Sequence, residues 1–510
     1  MQWMALRRLG LFLGPSLFLL ILVAFHPPGL EPAPRAVLAV TCWVATWWIT
    51  EAIPIAATAL LPLVLFPLTG ALPLKATTVA YANPMIFLFL GGFLLAVAIE
   101  KWNLHRRIAL SIITWVGSDW SRIILGFMLA TGFLSMWISN TATAVMMMPI
   151  GVAVARQLEK QGAVGGSGGQ LGPALMLGIA YGCSIGGMAT IIGTPTNIIF
   201  TGVVAELYGR EIGFAEWLRF GLPIASLLLL LAWWYLVKIA FVLPKGKNAG
   251  AASGEIRRQL AALGRMSHEE TLVLGVFVLV ALAWISRSYF LQAWIPGIND
   301  TVIAIAGALL LFLIPAKNRP GDHLLDWTSA ENIPWGILLL FGGGLALAAG
   351  FKNTGLASWI GHQLSLLDRV PFFLLLLLLT AAVNFLTEIT SNVATASMLL
   401  PILAALALSI GVHPYGLMVA TTLAASCAFM LPVATPPNAV VFGSGYLTIP
   451  TMMRVGLRMN LCSILLLAAL VYYFLPLVWG IDLLHFPEDL LPPSTGSIGS
   501  GATRPQPPLI

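Results

Sequence analysis

The 510-residue sequence contains little charge: Asp, Glu, Lys and Arg make up 9% of it, whereas soluble domains contain about 25%. Apolar residues make up 59%. This composition excludes an ordinary soluble domain and indicates that lipid is the main solvent. The alternating segments of about ten residues that a membrane barrel requires are also lacking. The apolar runs are long and uninterrupted, as at 222–243. Because a helix satisfies its own backbone polar groups in lipid, the sequence predicts an all-α polytopic membrane protein.

Several kinds of chemistry are missing as well. The four cysteines are far apart in apolar surroundings and show neither disulfide nor metal-ligand spacing. The seven histidines are scattered, and no motif offers a catalytic pair of Asp residues, a Ser with a His, or a His-Glu-x-x-His helix. We therefore expect no catalytic residues. The net charge of +6 is small for this length, so we expect no nucleic acid partner.

The apolar segments suggest about 11 transmembrane helices, since each span needs about 20 residues. The short runs 85–99 and 335–351 are candidates for re-entrant hairpins. The predicted division of the chain is an N-terminal transmembrane helix (1–34), repeat 1 (35–243), a basic linker (244–269), repeat 2 (270–480) and a tail (481–510). Basic loops stay cytoplasmic and the tail is acidic. We therefore expect a cytoplasmic N-terminus and an extracytoplasmic C-terminus.

Three motifs occur in both halves in the same order. The first is "NPMIFLFLGGFLLAVAIEKWNL" (83–104), which matches "IPWGILLLFGGGLALAAGFKNTGL" (333–356). The second pairs "WISNTATAVMMMPI" with "ITSNVATASMLLPI", and the third pairs "GTPTNIIF" with "ATPPNAVVF". A basic cluster follows the first motif of repeat 1, whereas an acidic tail closes repeat 2. This asymmetry predicts inverted repeats, which are typical of many secondary transporters.

Each half also places a Ser-Asn step inside an apolar segment and a Thr-Pro step further on. An isolated polar step often only pairs with a neighbouring helix, but its duplication favours a shared site. Pro195 and Pro436 each remove a backbone donor and must break a helix at membrane depth. Such a break is tolerated only around a protein-lined or aqueous site. Its free amide end suits an anion, and its free carbonyl end suits a small hard cation.

Each half is thus expected to supply one cation site and half of an anion site. Proton coupling requires a titratable group, and only Glu51 and Glu388 lie near the motifs. Na⁺ is therefore favoured over H⁺. The motifs contain no Arg or Lys, so helix amides and bound cations must supply the positive field. We accordingly expect cations to bind before the anion.

At these residues the sequence resembles the divalent anion:sodium symporter family of dicarboxylate, citrate and sulfate carriers. The resemblance covers nearly the whole chain and rests on "WWITEAIP" (47–54), both Ser-Asn motifs, "GTPTN" and "ATPPN". It implies a scaffold domain, a transport domain with two hairpins, an elevator-like motion and a homodimer in the cell membrane.

The resemblance also implies a set of binding residues. The first Na⁺ site is expected at Ser135, Ser139, Asn140 and Gly193, and the second at Thr387, Thr390, Asn392 and Ala434. The anion is expected to contact Asn140, Thr141, Thr194, Asn392, Thr435 and Pro436. Val393 stands where some bacterial relatives have a second Thr, which removes one hydroxyl from the anion site.

The sequence therefore favours Na⁺-coupled symport of a di- or tricarboxylate such as succinate. A Na⁺-independent dicarboxylate antiporter or a sulfate carrier on the same fold remains an alternative, and so does an anion channel.

Overall fold

The computed structural model describes residues 2–117, 119–159, 170–241, 243, 250–363 and 369–491. These residues form helices and no strand, apart from one isolated bridge between Pro315 and His323. The all-α prediction is therefore confirmed. The first part of the predicted linker (244–249) and most of the predicted tail (492–510) lie outside the described residues.

In the described residues before the linker there are twelve α-helices. They are α1 (Gln2–Ala24), α2 (Pro32–Thr50), α3 (Ile55–Thr58), α4 (Leu61–Thr69), α5 (Leu74–Tyr81), α6 (Pro84–Lys101), α7 (Leu104–Val116), α8 (Trp120–Ser135), α9 (Asn140–Glu159), α10 (Leu171–Gly187), α11 (Pro195–Tyr208) and α12 (Phe214–Tyr235). A π-helical segment, Leu236–Ala240, extends α12.

The linker and the second half contain the remaining described helices. They are α13 (Gly250–Ala262), α14 (His268–Ser286), α15 (Gln292–Trp294), α16 (Asp300–Leu313), α17 (Trp327–Ala330), α18 (Trp335–Thr354), α19 (Leu356–Gln363), α20 (Phe372–Leu386), α21 (Asn392–Ser409), α22 (Pro414–Ala425), α23 (Pro436–Phe442) and α24 (Ile449–Trp479). A π-helical segment, Arg287–Leu291, joins α14 to α15, and a 3₁₀ turn, Glu488–Leu490, follows α24.

Within the described ranges, seven helical stretches are long and apolar enough to cross a bilayer. Six shorter apolar helices accompany them, and α10 is buried along almost its whole length. A helix that is apolar on every side belongs in the interior of a bundle. The chain is thus a multi-pass membrane protein.

The hairpin interpretation of 85–99 and 335–351 is wrong. Both runs lie inside single unbroken helices, α6 and α18. Their glycines serve close packing instead of a turn: a Cβ at Gly91 would lie 2.6 Å from the Cβ of Ala304, and one at Gly343 would lie 2.6 Å from the carbonyl oxygen of Ala59.

The helical hairpins occur one step further along each half. Residues Ile124 and Met128 of α8 face Gly178 of α10, and Gly132 faces Gly186, so α8 and α10 run parallel. By contrast, Asn140 at the start of α9 faces Gly187 at the end of α10, and Gly151 faces Ile179 and Met176. Helix α9 therefore runs antiparallel to α10 and to α8. The pair α8–α9 is a hairpin whose tip is the Ser-Asn step.

The second half builds the same hairpin from α20 and α21. Gly416 at the start of α22 faces Phe372 at the start of α20. Asn384 near the end of α20 donates to the carbonyl oxygen of Cys427, just past the end of α22. Helices α20 and α22 are thus parallel, and a four-residue connection turns α21 back into α22. Helices α6–α12 and α18–α24 therefore follow the same order of elements.

The two halves cross each other in opposite directions. Gly172 faces Tyr446, and Tyr181 packs against Phe429. Further along the chain, Met188 contacts Cys427 and Phe200 packs against Tyr415. The residue numbers of the partners therefore fall as those in α10 and α11 rise. Equivalent segments are thus antiparallel, as inverted repeats require.

The first and last described segments, the start of α1 and residues 486–491, lie on opposite faces of the bundle. Helix α1 begins beside Glu51 and ends where the carbonyl oxygen of Pro28 accepts from the indole of Trp359. Residues next to Trp359 in α19 line a cavity together with residues 486–491 of the C-terminal segment. The C-terminal segment therefore lies at the face where α1 ends.

An ion pair joins the two halves at the end of α6. Lys101 at the end of α6 contacts Asp326, the N-cap residue of α17, at 2.5 Å. Hydrogen bonds from Lys101 and from the backbone N–H of Ser329 lower the pKa of Asp326 to about 2. The carboxylate is thus ionised at any physiological pH, and it holds the end of α6 against the start of α17.

Candidate binding site between two hairpin tips

The hairpin tips carry matching hydrogen bonds. In the first half the hydroxyl of Ser135 donates to Oδ1 of Asn140. In the second half the hydroxyl of Thr387 donates to Oδ1 of Asn392 at 2.6 Å. Both pairs are five residues apart, and each joins the last turn before the tip to the first residue after it. The duplicated sequence motif therefore forms a duplicated geometry.

The predicted helix breaks at Pro195 and Pro436 are confirmed. Helix α10 ends at Gly187 and α11 begins at Pro195, while α22 ends at Ala425 and α23 begins at Pro436. Thr194 and Thr435 occupy the N-cap positions with extended backbone angles. The prolines that begin α11 and α23 have no N–H group. In α23 the next N–H groups are used within the cap: that of Asn438 donates to Oγ1 of Thr435 at 3.3 Å, and that of Ala439 to the carbonyl oxygen of Thr435 at 3.1 Å.

Two asparagines hold the broken segments, and sequence reasoning overlooked both of them. The amide of Asn197 donates to the carbonyl oxygens of Gly187, Met188 and Thr190 at 3.3, 3.2 and 2.7 Å. The amide of Asn438 donates to those of Ala428 and Leu431, both at 3.0 Å. Each Asn is the last residue of a Thr-Pro-x-Asn motif. Because this motif occurs in both halves, the sequence alone could have identified both asparagines. These bonds compensate the carbonyls that the proline break releases.

All these segments meet at one cavity of about 560 Å³. Ten of the twelve predicted residues line it: Ser139, Asn140, Thr141, Gly193, Thr194, Thr390, Asn392, Ala434, Thr435 and Pro436. Ser135 and Thr387 do not line it. They are fully buried behind Asn140 and Asn392, to which they are bonded. The structure therefore brings the predicted residues of both halves together.

The charge of the cavity wall is the opposite of what an anion site normally offers. Among the described residues that line it, none is Lys or Arg, and Glu51 is the only ionisable one. For an anion to bind here, the positive field would have to come from helix starts or from bound cations.

The first half contains a cluster of oxygens suited to a cation. Oδ1 of Asn140 lies 3.3 Å from the carbonyl oxygens of both Gly193 and Cys183. Oxygens at this spacing fit neighbouring ligands of a hard cation with bonds of about 2.4 Å. If the amide is flipped, its nitrogen donates to these two carbonyl oxygens instead. If a cation binds here, Oδ1 of Asn140 and the carbonyl oxygens of Gly193 and Cys183 can all serve as its ligands.

Two further features fit a cation at these tips. A Cβ at Gly187 would lie 2.7 Å from Oδ1 of Asn140 and 3.0 Å from the carbonyl oxygen of Gly193, so only glycine leaves room between them. The Oδ1 atoms of Asn197 and Asn438 are buried without a hydrogen-bond partner. Buried acceptors without a donor are rare, and a cation or a water normally satisfies them.

Glu388 distinguishes the second half from the first. Its buried carboxylate accepts the backbone N–H groups of Met430 at 2.9 Å and Leu431 at 3.0 Å, and the amide of Asn460 at 2.7 Å. Glu388 does not line the cavity. It fixes the second hairpin tip to the broken segment that carries Thr435. In the first half Thr190 makes the corresponding tie with one bond of 2.6 Å to the carbonyl oxygen of Met136.

The opposite wall of the cavity is apolar. It is formed by residues after α2, by α6 and by the first turns of α18: Ile55, Ala56, Phe89, Phe93, Ile337 and Leu340. The polar groups thus all belong to the hairpins and the broken helices, apart from Glu51.

The chain matches the family model described as the sodium:sulfate symporter transmembrane region over residues 7–480. It is 49% identical over 487 residues to the sodium-dependent dicarboxylate transporter SdcS of Staphylococcus saprophyticus, and the alignment covers 93% of this chain and 93% of that one. It is also 49% identical over 488 residues to SdcS of Staphylococcus aureus, which covers 94% of this chain and 93% of that one.

Two solved structures share the fold. The YdaH transporter of Alcanivorax borkumensis aligns with a TM-score of 0.56 and 16% identity, covering 94% of this chain and 98% of that one. MtrF of Neisseria gonorrhoeae aligns with a TM-score of 0.52 and 12% identity, covering 80% and 83%. At such identities the likeness concerns the fold alone.

The tie made by Glu388 can be tested by Glu388→Gln. Glutamine keeps one acceptor oxygen, but its NH₂ group faces an N–H donor, so we expect one backbone bond to be lost at a cost of about 1.5–3 kcal/mol. Hydrogen–deuterium exchange at Met430 and Leu431 should speed up, and the thermal midpoint of the purified protein should fall. Glu331→Gln, at an exposed position, is the control. Unchanged exchange at both amides would contradict this role.

Proposed function

The chain belongs to the sodium:sulfate symporter family, and on this premise we propose that it carries dicarboxylates such as succinate together with Na⁺. As a member of this family it is a transporter and not an enzyme. The observation that supports the proposal best is the cavity itself. Two Asn-headed hairpin tips and two Thr-Pro helix starts converge there, without any basic lining residue in the part of the chain that the structure describes.

The anion is proposed to lie between the two halves. Asn140, Thr141 and Thr194 would contact it from the first half, and Asn392, Thr435 and Pro436 from the second, because all six line the same cavity. Amide and hydroxyl groups donate hydrogen bonds to carboxylates. The start of α11 adds the positive end of its helix dipole. A dianion with one carboxylate at each end matches this two-sided arrangement.

Two Na⁺ sites are proposed behind the anion. The first would use Ser135, Ser139, Asn140 and Gly193, and the oxygens around Asn140 support it. The second would use Thr387, Thr390, Asn392 and Ala434, and the bond between Thr387 and Asn392 supports its likeness to the first. Because each Asn belongs to a cation site and to the cavity, bound Na⁺ would orient its amide toward the anion. Cations would therefore bind first.

We propose an elevator motion because the polar groups of the cavity belong to one set of helices, apart from Glu51. The hairpins and broken helices carry the polar binding residues, and the facing wall holds Phe89, Phe93 and Leu340. An apolar wall makes no directional bonds, so the polar side can slide past it with its cargo. We propose that the hairpins and broken helices form the transport domain and that α2–α6 and α14–α18 form the scaffold.

We also propose a homodimer in the cell membrane with a cytoplasmic N-terminus. The placement of the start of α1 and of residues 486–491 on opposite faces supports this topology. So does the position of Arg107, which pairs with Glu270 at 2.9 Å and binds the carbonyl oxygens of the basic linker at Leu263 and Gly264. Basic segments remain on the cytoplasmic side.

Replacing external Na⁺ with K⁺ or choline tests the coupling directly. In vesicles that contain the purified protein, we expect an inward Na⁺ gradient to drive succinate uptake and the substitutes to abolish it. Citrate and sulfate should be measured in parallel. Uptake that persists without Na⁺ but requires internal dicarboxylate would establish an exchanger. Preferential sulfate uptake would identify a sulfate carrier.

The substitution Thr387→Val tests whether the second hairpin tip binds Na⁺. This change removes the hydroxyl that bonds to Asn392 while keeping the shape. We expect the Na⁺ concentration for half-maximal uptake to rise about fivefold, as for a lost interaction of about 1 kcal/mol. Thr380→Val is the matched control, since that buried hydroxyl on the same helix bonds only to the carbonyl of Leu376 at 2.7 Å. Equal effects of both substitutions would refute a cation site here.

The anion role of the first tip can be tested by Thr141→Val. The substitution gives the first half the residue that the second half has at Val393, and it removes one hydroxyl from the cavity. We expect the KM for succinate to rise about fivefold with little change in Na⁺ activation. Thr141→Ser keeps the hydroxyl and should preserve the KM. A change in Na⁺ activation alone would place Thr141 outside the anion site.

A further inference from the structure

Glu51 is the one feature of the cavity that the proposed function does not use. It is the only ionisable residue among the described ones that line the cavity. A fixed carboxylate repels a dianion that approaches through water, because the two interact over distances of about 10 Å. A cavity for divalent anions therefore needs a reason to carry this charge, or a means to cancel it.

The structure supplies a cancelling charge from a separate helix. A guanidinium nitrogen of Arg7, on α1, lies 3.0 Å from a carboxylate oxygen of Glu51. Both side chains are about half exposed, at 54% and 44%, so solvent reaches the pair. Exposed pairs of this kind contribute little to stability, typically well under about 1 kcal/mol. The pair is thus better explained by its effect on the cavity than by its effect on the fold.

Close packing of α1 on α2 places the two charges together. The indole of Trp47 donates to the carbonyl oxygen of Gly10 at 2.9 Å, and a Cβ at Gly14 would lie 2.7 Å from the same indole nitrogen. The two helices are antiparallel, so Arg7, one turn before Gly10, lies beside the end of α2. The partner of Glu51 is therefore fixed by backbone packing and not by a mobile loop.

The backbone at Glu51 also has an unusual conformation. Its φ is 46°, in the left-handed region that costs a non-glycine residue roughly 1–2 kcal/mol. This conformation ends α2 and turns the chain into the Ala52–Pro54 segment that leads to α3. An outlier of this kind at a cavity wall is a reason to look for function.

We propose that Arg7 neutralises Glu51 and thereby sets the affinity of the cavity for divalent anions. Arg7 does not line the cavity. It acts on the anion indirectly, by pairing with the carboxylate of Glu51. The inference rests on the proposed function, because it requires an anionic substrate in this cavity.

Removal of the Arg7 charge and removal of the Glu51 charge are expected to change the KM for succinate in opposite directions. Without Arg7, the carboxylate is unpaired and the KM for succinate rises roughly fourfold at low ionic strength, as for a dianion about 10 Å from one charge in water. Without the Glu51 charge, Arg7 attracts the dianion and the KM falls. With both charges removed, the KM returns close to that of the unmodified protein.

The experiment measures succinate KM and maximal rate in vesicles for Arg7→Gln, Glu51→Gln and the double variant, at a fixed Na⁺ concentration. Arg8→Gln is the matched control, because it removes the same charge from the next residue of α1, which is also exposed. Arg7→Lys keeps the charge and should behave like the unmodified protein. The measurements are repeated with added choline chloride, which should shrink the effect of Arg7→Gln by screening.

The result expected is a raised KM for Arg7→Gln alone, a lowered KM for Glu51→Gln, and recovery in the double variant. Equal KM values for Arg7→Gln and Arg8→Gln would overturn the proposal, and so would a double variant as impaired as Arg7→Gln. If the unmodified protein shows no Na⁺-driven uptake of any dianion, the proposed function fails first. The two failures are therefore distinguishable.

Discussion

Unpaired backbone groups in the middle of a membrane are the constraint on which this structure depends. Lipid offers them no hydrogen bonds, so a chain that breaks a helix there must satisfy the exposed groups from within. Asn197 and Asn438 do so on the carbonyl side of each break. On the other side of each break, Thr194 and Thr435 line the cavity at the starts of α11 and α23. The same break that threatens stability therefore creates the polarity that a ligand can use.

Inversion of the two halves converts two such breaks into one site. Since α10–α11 and α22–α23 cross antiparallel, the two hairpin tips and the two Thr-Pro helix starts meet near the crossing point. Neither half alone encloses a cavity lined by both Asn140 and Asn392. The halves nevertheless differ in how the tip is held: one bond from Thr190 in the first, and three bonds to Glu388 in the second. The second tip is accordingly the more firmly tied.

The sequence predicted the fold class, the positions of both breaks and most of the polar side chains that line the cavity, because proline chemistry and duplicated motifs act locally. It misplaced the hairpins in α6 and α18, because glycine pairs serve close helix packing as well as turns. It also passed over Asn197, Asn438 and Gly187, whose roles depend on which carbonyls lie nearby. The tie from Glu388 to Asn460 joins residues 72 positions apart, and no local pattern encodes such a contact.

The scarcity of charge in the cavity explains why its few charges matter. A basic residue in the wall would bind a dianion strongly whether or not Na⁺ were present, and coupling would then be weak. A wall of amides and hydroxyls would bind a dianion weakly by itself, so in the proposed mechanism the cations would decide when the anion is held. In such a site an unpaired Glu51 would oppose the anion in every state, and an unpaired Arg7 would attract it in every state. The packing of α1 on α2 keeps the two in contact, so in the proposed mechanism anion binding would still depend on the cations.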